Sequence, residues 1–232
     1  MLQAHSTVQQ CHRITDTINK ALEDQQYCTA VFLDVSQVFD KVWYPGLLFK
    51  IKRTLPSGYY NLLKSYLQDR HFITKFNNET SSCFPIHSGV PQGSNLGPFL
   101  YTLYTSDLPI SRKTTLSTFV DDTAIFAIHS DPMTASLNLH DHLYNIKKWL
   151  QKWKMKVNET KSSLITFTLR KGQCPPVSIN QTVIPHVETV KYLGLHFDHR
   201  LTWKEHIAMK RKQLDHKTRE IKWLMGKPPP YH

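Results

Sequence analysis

Apolar and polar residues follow two patterns along this chain, and each pattern predicts a different element. After Ser6, apolar residues recur every three or four positions, which is the spacing of an amphipathic helix with Ser6 as its N-cap. Pro45, Ser57, Ser94 and Asp131-Pro132 open further stretches of helical composition or spacing. The predicted helices cover 6–24, 44–53, 57–69, 94–108, 132–153 and the segment from about 202 onward.

Continuous apolar runs and short strand-like segments predict strands elsewhere. The run at 28–35, CTAVFLDV, is broken only near its end by Asp34 and is typical of a buried strand. An Asn-rich turn predicts a hairpin across 71–89, and two strands flank the acid pair of TFVDDTAIF at 118–126. Further strands are predicted at 162–169 and, two or three in number, between 177 and 198. Helices mixed with largely antiparallel strands indicate an α+β fold.

The composition bounds the class of protein. The 232 residues suffice for one domain, or for one large domain with a small appendage. The chain has no apolar run of the roughly 18 residues that a membrane helix needs, and its N-terminus lacks the signal-peptide pattern, so we expect a soluble intracellular protein. The cysteines at 11, 28, 83 and 174 form no CxxC pair, which argues against a zinc site or disulfide framework and favours buried thiols. A net charge of +11 fits a polyanionic partner, either nucleic acid or an anionic membrane surface.

Three carboxylates lie beside predicted strands. The adjacent acids Asp121 and Asp122 repel each other, so they indicate either a tight Asx turn or a bound divalent cation. Asp34 closes a buried strand, where it either caps the next helix or serves as a ligand. If the fold brings the three together, their oxygens suit Mg²⁺. Two such ions form the clamp of phosphoryl transfer, the chemistry of polynucleotide synthesis.

The stretch SGVPQGSNLGPFLY, at 88–101, is a glycine-punctuated turn that leads into a helix. Gly89, Gly93 and Gly97 permit close approach of the backbone to another group. That group is a nucleotide or a template strand in one interpretation. In the other interpretation the stretch is an ordinary loop-to-helix junction.

Five blocks carry a resemblance that covers the chain from about residue 6 to its C-terminus. They are Asp34 with Phe39-Asp40, GVPQGS at 89–94, FVDDTAIF at 119–126, NETKSSLITF at 158–167 and VKYLGLHFDHRLTWKEHI at 190–207. In this order and at these separations they resemble the reverse transcriptases of non-LTR retrotransposons, with the jockey-like group closest. The resemblance implies a right-hand polymerase fold truncated at both ends, with a fingers remnant at about 1–27, a palm at 28–200 with a finger insertion near 46–88, and the start of the thumb at 201–232.

The resemblance also implies a catalytic centre. Asp34 and Asp121 match the metal-ligating aspartates of the family, and Asp122 matches an auxiliary ligand. The carbonyl of Val35 matches a further metal contact. The implied cofactor is a pair of Mg²⁺ ions, which Mn²⁺ can replace. Lys161 matches a lysine that protonates the departing pyrophosphate, and an exposed surface lysine is the alternative interpretation.

Other matched residues contact the nucleotide and the nucleic acid. Phe39 matches the aromatic residue under the incoming sugar that excludes a 2′-hydroxyl, and a core phenylalanine is the alternative. Gln92 and Gly93 match residues along the nascent base pair and template. The hairpin that grips the primer end is matched by Tyr192, Leu193 and Gly194.

The function implied by the resemblance is an RNA-directed DNA polymerase of the nucleus. Its implied partners are an RNA template, a DNA primer and deoxynucleoside triphosphates, without a membrane and with no protein partner inferable. Between Lys204 and Lys227 eight Lys or Arg stand against three acids, a stripe that either tracks a phosphate backbone or faces solvent. Leu2 stands where the family has an arginine for the triphosphate. Two alternatives to an active polymerase stay open. One is an inactive remnant that at most binds nucleic acid, and the other is an intron-associated maturase.

Overall fold

A four-stranded antiparallel sheet organises the protein. The computed structural model describes residues 6–35, 39–91, 93–119 and 122–222. Its helices are α1 (Thr7–Glu23), α2 (Tyr44–Thr54), α3 (Ser57–Leu67), α4 (Leu96–Thr105), α5 (Pro132–Lys152) and α6 (Lys204–Ile221). Its strands are β1 (Tyr27–Val35), β2 (His71–Phe72), β3 (Lys75–Phe76), β4 (Glu79–Thr80), β5 (Phe84–Pro85), β6 (Thr115–Phe119), β7 (Asp122–His129), β8 (Val157–Phe167), β9 (Ser178–Ile179), β10 (Thr182–Val183), β11 (Thr189–Tyr192) and β12 (Leu195–Asp198).

The main sheet has the strand order β6-β7-β1-β8, so the strand predicted at 28–35 lies in its interior. β1 pairs antiparallel with β7, from Tyr27 opposite His129 to Asp34 opposite Asp122, and with β8 on its other side. The remaining strands form two-stranded ladders, β2 with β5, β3 with β4, β9 with β10 and β11 with β12. The predicted α+β class is confirmed.

The sheet is covered on both faces, and the alternation of side chains along β1 divides the core in two. Val31 and Leu33 belong to a core built with α2, α4 and α5. Ala30 and Phe32 belong to a second core, which takes in α1 and the β11–β12 hairpin. Because both faces of β1 are buried, its sequence is a continuous apolar run rather than an alternating one.

The helix starts confirm two predicted caps and correct two others, one of which is Ser94, because α4 begins at Leu96 with Asn95 in the cap position. Ser6 and Gln9 form a capping box, in which the Gln9 N–H donates to the Ser6 hydroxyl at 3.2 Å. The Asp131 carboxylate accepts hydrogen bonds from the hydroxyl and the backbone N–H of Thr134, and these lower the pKa of Asp131. The prediction of Ser57 as the cap of α3 is wrong, because the helix begins at Ser57 itself and Pro56 precedes it without a side-chain cap.

Asp198 organises the turn that joins β12 to α6. Its carboxylate accepts hydrogen bonds from the backbone N–H groups of Arg200 (3.2 Å), Thr202 (3.0 Å) and Trp203 (2.9 Å), and from the Thr202 hydroxyl (3.1 Å). Burial opposes ionisation of this group, but the hydrogen bonds outweigh burial and lower the pKa of Asp198. The turn therefore holds an ionised, well-satisfied carboxylate against the body of the protein.

Three other predictions need correction or limits. Four short strands, rather than two or three, lie between 177 and 198. Cys28 and Cys174 are buried as expected, but Cys11 is only half-buried and Cys83 is exposed. α6 has the predicted helical form, yet none of its residues is buried. Among the described helices, none combines the length and the apolar character of a membrane span.

Candidate active site

The two described acids of the predicted centre come together at one end of the sheet. β1 closes with Asp34 and Val35, β7 begins with Asp122, and Asp34 and Asp122 are direct partners in the antiparallel ladder. Direct partners point to the same face, with Cβ atoms about 4.5–5.5 Å apart. Asp34 is exposed and Asp122 is half-buried, so a ligand can reach this end from solvent. We call it the acid end of the sheet.

A cavity of about 280 Å³ lies beside these carboxylates. Four strands contribute to it: Asp34 comes from β1, Asp122 from β7, Lys161 from β8 and Tyr192 from β11. A second lysine, Lys191, also lines it. Residues that are far apart in sequence, from four of the five resembling blocks, therefore meet in one place.

β8 departs from a regular ladder at the acid end. One residue separates Phe32 from Asp34 in β1, whereas the stretch 159–162 separates their β8 partners, Ser163 and Asn158. The extra residues form a bulge, a feature that commonly re-aims side chains next to active sites. Lys161 belongs to this bulge.

Ser162 fastens the bulge to β1. Its hydroxyl accepts a hydrogen bond from the backbone N–H of Asp34 (3.1 Å) and donates one to the carbonyl of Asn158 (2.8 Å). The Asn158 side chain in turn accepts the backbone N–H of Lys161 (3.2 Å). Sequence reasoning misses Ser162, because nothing in NETKSS distinguishes its hydroxyl, 1% exposed as a residue, from that of the neighbouring serine.

The donor set at the acid end fits a hard divalent cation. Asp34 and Asp122 offer carboxylate oxygens, which Mg²⁺ prefers. Among the described residues no group of three or more His, Cys, Asp or Glu side chains could hold a metal. Asp121, the third predicted acid, and Gln92, predicted at the template, lie outside the described residues.

Phe39 lies between the core and the glycine-punctuated loop. Its ring packs on Tyr101 with centroids 5.3 Å apart, and its carbonyl accepts the backbone N–H of Val90 at 2.7 Å. The residue is half-buried, so it packs against the core and keeps a solvent-facing surface. The first and second resembling blocks are thereby in direct contact.

The three loop glycines differ in what they approach. An added Cβ at Gly89 would lie 2.9 Å from the Asp40 backbone, and one at Gly97 would clash with the Pro91 carbonyl oxygen. At these two positions the chain's own backbone packs where a side chain would otherwise lie. This supports the interpretation of an ordinary loop-to-helix junction for Gly89 and Gly97. Gly93 has a φ of +80°, and no atom of the described residues lies within 4 Å of an added Cβ, so this position is open to a ligand.

The predicted primer-grip residues form a tight hairpin. Leu193 and Gly194 are the central residues of the β11–β12 turn, with φ values of +47° and +80°, as a type I′ turn requires. Tyr192 is buried against Phe32, with ring centroids 5.4 Å apart, and burial raises the pKa of Tyr192 to about 12. The hairpin reaches the cavity through Tyr192, while the side chain of Tyr192 also belongs to the core.

Comparison with known proteins assigns this arrangement to a family. A sequence model described as "Reverse transcriptase (RNA-dependent DNA polymerase)" matches residues 2–197. The chain belongs to the reverse transcriptase family. The matched segment includes the four strands that line the cavity of this reverse transcriptase domain.

Curated relatives of the reverse transcriptase domain come from retrotransposons of Drosophila melanogaster. "Probable RNA-directed DNA polymerase from transposon X-element" is 38% identical over 227 residues, and "RNA-directed DNA polymerase from mobile element jockey" is 37% identical over 230 residues. Each alignment covers 96% of this chain and 25% of the relative, so the chain spans a quarter of the length of these relatives. The expected likeness to the jockey-like group is confirmed.

Solved structures confirm the fold of the reverse transcriptase domain. Apo telomerase of Candida tropicalis, truncated from its C-terminal domain, and telomerase of Candida albicans in complex with a TWJ fragment of telomeric RNA both match with a TM-score of 0.59 at 16% identity. The matches cover 87% and 84% of this chain, and 40% and 33% of the two telomerase chains. This likeness shows a shared α+β fold of the palm type.

Proposed function

We propose that this reverse transcriptase domain is the palm of an RNA-directed DNA polymerase, which adds deoxynucleotides to a DNA 3′ end on an RNA template. The observation that carries the proposal is the pairing of Asp34 with Asp122 beside a cavity lined by β1, β7, β8 and β11. Family membership supports the reaction class, because the matching family is described as RNA-dependent DNA polymerases.

The carboxylates of Asp34, Asp121 and Asp122 would hold the divalent ions, with the carbonyl of Val35 as a further contact. Bound Mg²⁺ would supply activation of the primer hydroxyl and neutralisation of the charge on the leaving pyrophosphate. Two described carboxylates on paired strands are a suitable start for such a set, since Mg²⁺ keeps waters and phosphates in its remaining positions.

The residues around the cavity would position the reactants. Lys161, which lines the cavity, would donate a proton to the pyrophosphate. Phe39 would exclude a 2′-hydroxyl from the incoming sugar, and Gln92 with Gly93 would lie along the template. The primer end would rest on the hairpin formed by Tyr192, Leu193 and Gly194.

An RNA template is favoured by the relatives. The X-element and jockey proteins carry names that describe RNA-directed DNA polymerases. Telomerase, whose palm has the same fold, is seen in complex with a fragment of telomeric RNA. These observations concern other proteins, and they support RNA as the template here.

A primer-extension assay tests the proposal. The chain is mixed with a polyriboadenylate template, an oligodeoxythymidine primer, thymidine triphosphate and Mg²⁺. We expect incorporation by the native chain and none by Asp121→Asn, since the substitution removes one metal-binding charge. Absence of incorporation by the native chain would refute the polymerase proposal, and equal incorporation by both would place the activity elsewhere.

A further inference from the structure

A run of lysines without acids marks the end of α5 and the connection to β8. The stretch KKWLQKWKMK, at 147–156, holds five lysines and no Asp or Glu. Four of the five are exposed and Lys147 is half-buried. Among the described residues none of the five lies within ion-pair distance of a carboxylate. The helix dipole accounts for Lys152 in the last turn of α5, but Lys154 and Lys156 lie beyond the helix.

These lysines line a groove. A cavity of about 540 Å³ lies between the end of α5, the start of β8 and the β9–β10 turn, with Lys147, Lys154 and Lys156 on its walls. A neighbouring cavity of about 190 Å³ shares Lys147 and Asn180 with it and extends along α5 to Tyr144. We call the two together the α5 groove.

The carboxylate that lines the α5 groove already has a hydrogen-bond partner. Glu159 is the carboxylate in the described lining of the larger cavity, and it accepts a hydrogen bond from the Asn180 side chain at 2.7 Å. That hydrogen bond lowers the pKa of Glu159, so the group stays ionised and bound to its partner. Three lysines, Lys147, Lys154 and Lys156, stand against this single negative charge in the lining, so the groove is positive on balance.

The α5 groove is separate from the candidate active site. α5 packs with the core on the Val31 and Leu33 face of the sheet, whereas Asp34 alternates onto the Phe32 face. Val157, at one end of the groove, pairs with Val35. The groove thus starts at the acid end and continues on the opposite face of the sheet.

We propose that the α5 groove binds the phosphate backbone of a single-stranded polynucleotide, at a second contact distinct from the cavity of Asp34 and Asp122. Lysines attract phosphates, and the absence of acids in the run leaves that attraction uncompensated. Tyr144 is 54% exposed and lines the smaller cavity of the groove, so its ring is an aromatic surface on which an unpaired base can stack. A groove also suits a strand better than a bilayer, which meets a protein along a broad surface.

The salt dependence of binding tests the proposal. Labelled oligouridine and oligodeoxythymidine of equal length are titrated by fluorescence anisotropy against the native chain and the triple variant Lys147→Ala/Lys154→Ala/Lys156→Ala. The matched control is Lys20→Ala/Lys52→Ala/Lys113→Ala, which removes the same charge from exposed lysines elsewhere. Three lost phosphate contacts should make the slope of log affinity against log salt concentration shallower by about 2. When salt is raised from about 50 to 200 mM, the factor by which binding weakens should therefore be roughly 20 times smaller for the variant than for the native chain. Equal slopes for the variant and the control would overturn the proposal.

Lysine footprinting locates the contact without any variant. The native chain is acetylated with and without each oligonucleotide, and the modified lysines are quantified by mass spectrometry. We expect protection of Lys154 and Lys156 but not of Lys20, Lys52 or Lys113, and the oligonucleotide that protects more strongly identifies RNA or DNA as the strand. Protection by phosphatidylserine vesicles with none by either oligonucleotide would overturn the proposal in favour of a membrane surface. Neither readout uses nucleotide incorporation, so failure here is distinct from failure of the polymerase proposal.

Discussion

The acid end of the sheet and the turn between β12 and α6 both contain aspartates, but the carboxylates at the two places differ in hydrogen bonding and in exposure. In the turn, the carboxylate of Asp198 accepts four hydrogen bonds from the three residues Arg200, Thr202 and Trp203, and the residue is 8% exposed. At the acid end Asp34 is exposed, and within the described part of the chain no donor contacts its carboxylate. Its backbone N–H, rather than its side chain, is held by Ser162.

The difference separates a structural carboxylate from one available to a ligand. A carboxylate saturated with N–H donors stabilises its turn and has little capacity left for a cation. A carboxylate beside a second acid on the neighbouring strand gains from a cation, because the cation relieves the repulsion. Asp198 and Asp34 should therefore respond oppositely to substitution.

The largest contrast is expected in nucleotide incorporation. Asp34→Asn should lower incorporation by about 10³-fold, since a catalytic metal contributes several kcal/mol to the transition state. The same substitution should change the free energy of unfolding by less than about 0.5 kcal/mol, because the side chain is exposed. Primer extension and urea denaturation on the same samples check both statements. Loss of both activity and stability would assign Asp34 a structural role like that of Asp198.

The second contrast is expected in stability. Asp198→Ala leaves three backbone N–H groups without their acceptor, which should lower the free energy of unfolding by about 2–4 kcal/mol. The matched control is Asp215→Ala on α6, an exposed acid whose removal should cost less than about 0.5 kcal/mol. Urea midpoints measure both. If the two variants unfold at the same midpoint, the hydrogen bonds to Asp198 contribute nothing to stability.

The elements themselves were largely predictable from local sequence. The spacing of apolar residues and the caps predict where α1 and α5 lie, and a continuous apolar run predicts β1. These signals come from residues that are close together in the chain. The start of α3 was misassigned, because a serine next to a proline resembles a cap whether or not its hydroxyl accepts an N–H. The complete exposure of α6 was beyond local reasoning, since helical spacing does not reveal whether a partner is present.

The acid end was predictable in part. The resemblance indicated that Asp34 and the acid pair converge, and the pairing of Asp34 with Asp122 agrees with that expectation. The bulge at 159–162 and the role of Ser162 were not predictable, because the hydrogen bond to Asp34 joins positions 128 residues apart. The glycines of the loop show the same limit, since the contacts that require Gly89 and Gly97 appear only after folding.

The pH dependence of stability sharpens the contrast for Asp198. Its pKa in the folded protein lies below the ordinary value of 3.8, so the fold favours the ionised form. The resulting stabilisation is fully present above the unfolded pKa and is lost as pH falls through the folded pKa. The difference in unfolding free energy between the native chain and Asp198→Ala should stay constant from pH 7 to about 5 and narrow below about 4. Urea titrations at several pH values measure this difference, and a difference that widens in acid would contradict the assignment.

The smallest effect is expected at the residue that holds the acid end in place. Ser162→Ala leaves the backbone N–H of Asp34 without its acceptor and should cost about 1–2 kcal/mol of stability. The matched control is Ser136→Ala on α5, which removes another buried hydroxyl, one that donates to the Pro175 carbonyl at 2.8 Å and does not line the cavity of the acid end.

A purely structural role for Ser162 would end at that loss of stability. A positioning role predicts more, because a displaced Asp34 would bind the cation less well. The Mg²⁺ concentration for half-maximal incorporation should then rise by about 10-fold in Ser162→Ala and stay unchanged in Ser136→Ala, as expected for groups that orient a metal ligand. If the Mg²⁺ requirement is the same in both variants, the bulge stabilises the sheet without tuning its acid end, and the contrast with the Asp198 turn rests on Asp34 and Asp122 alone.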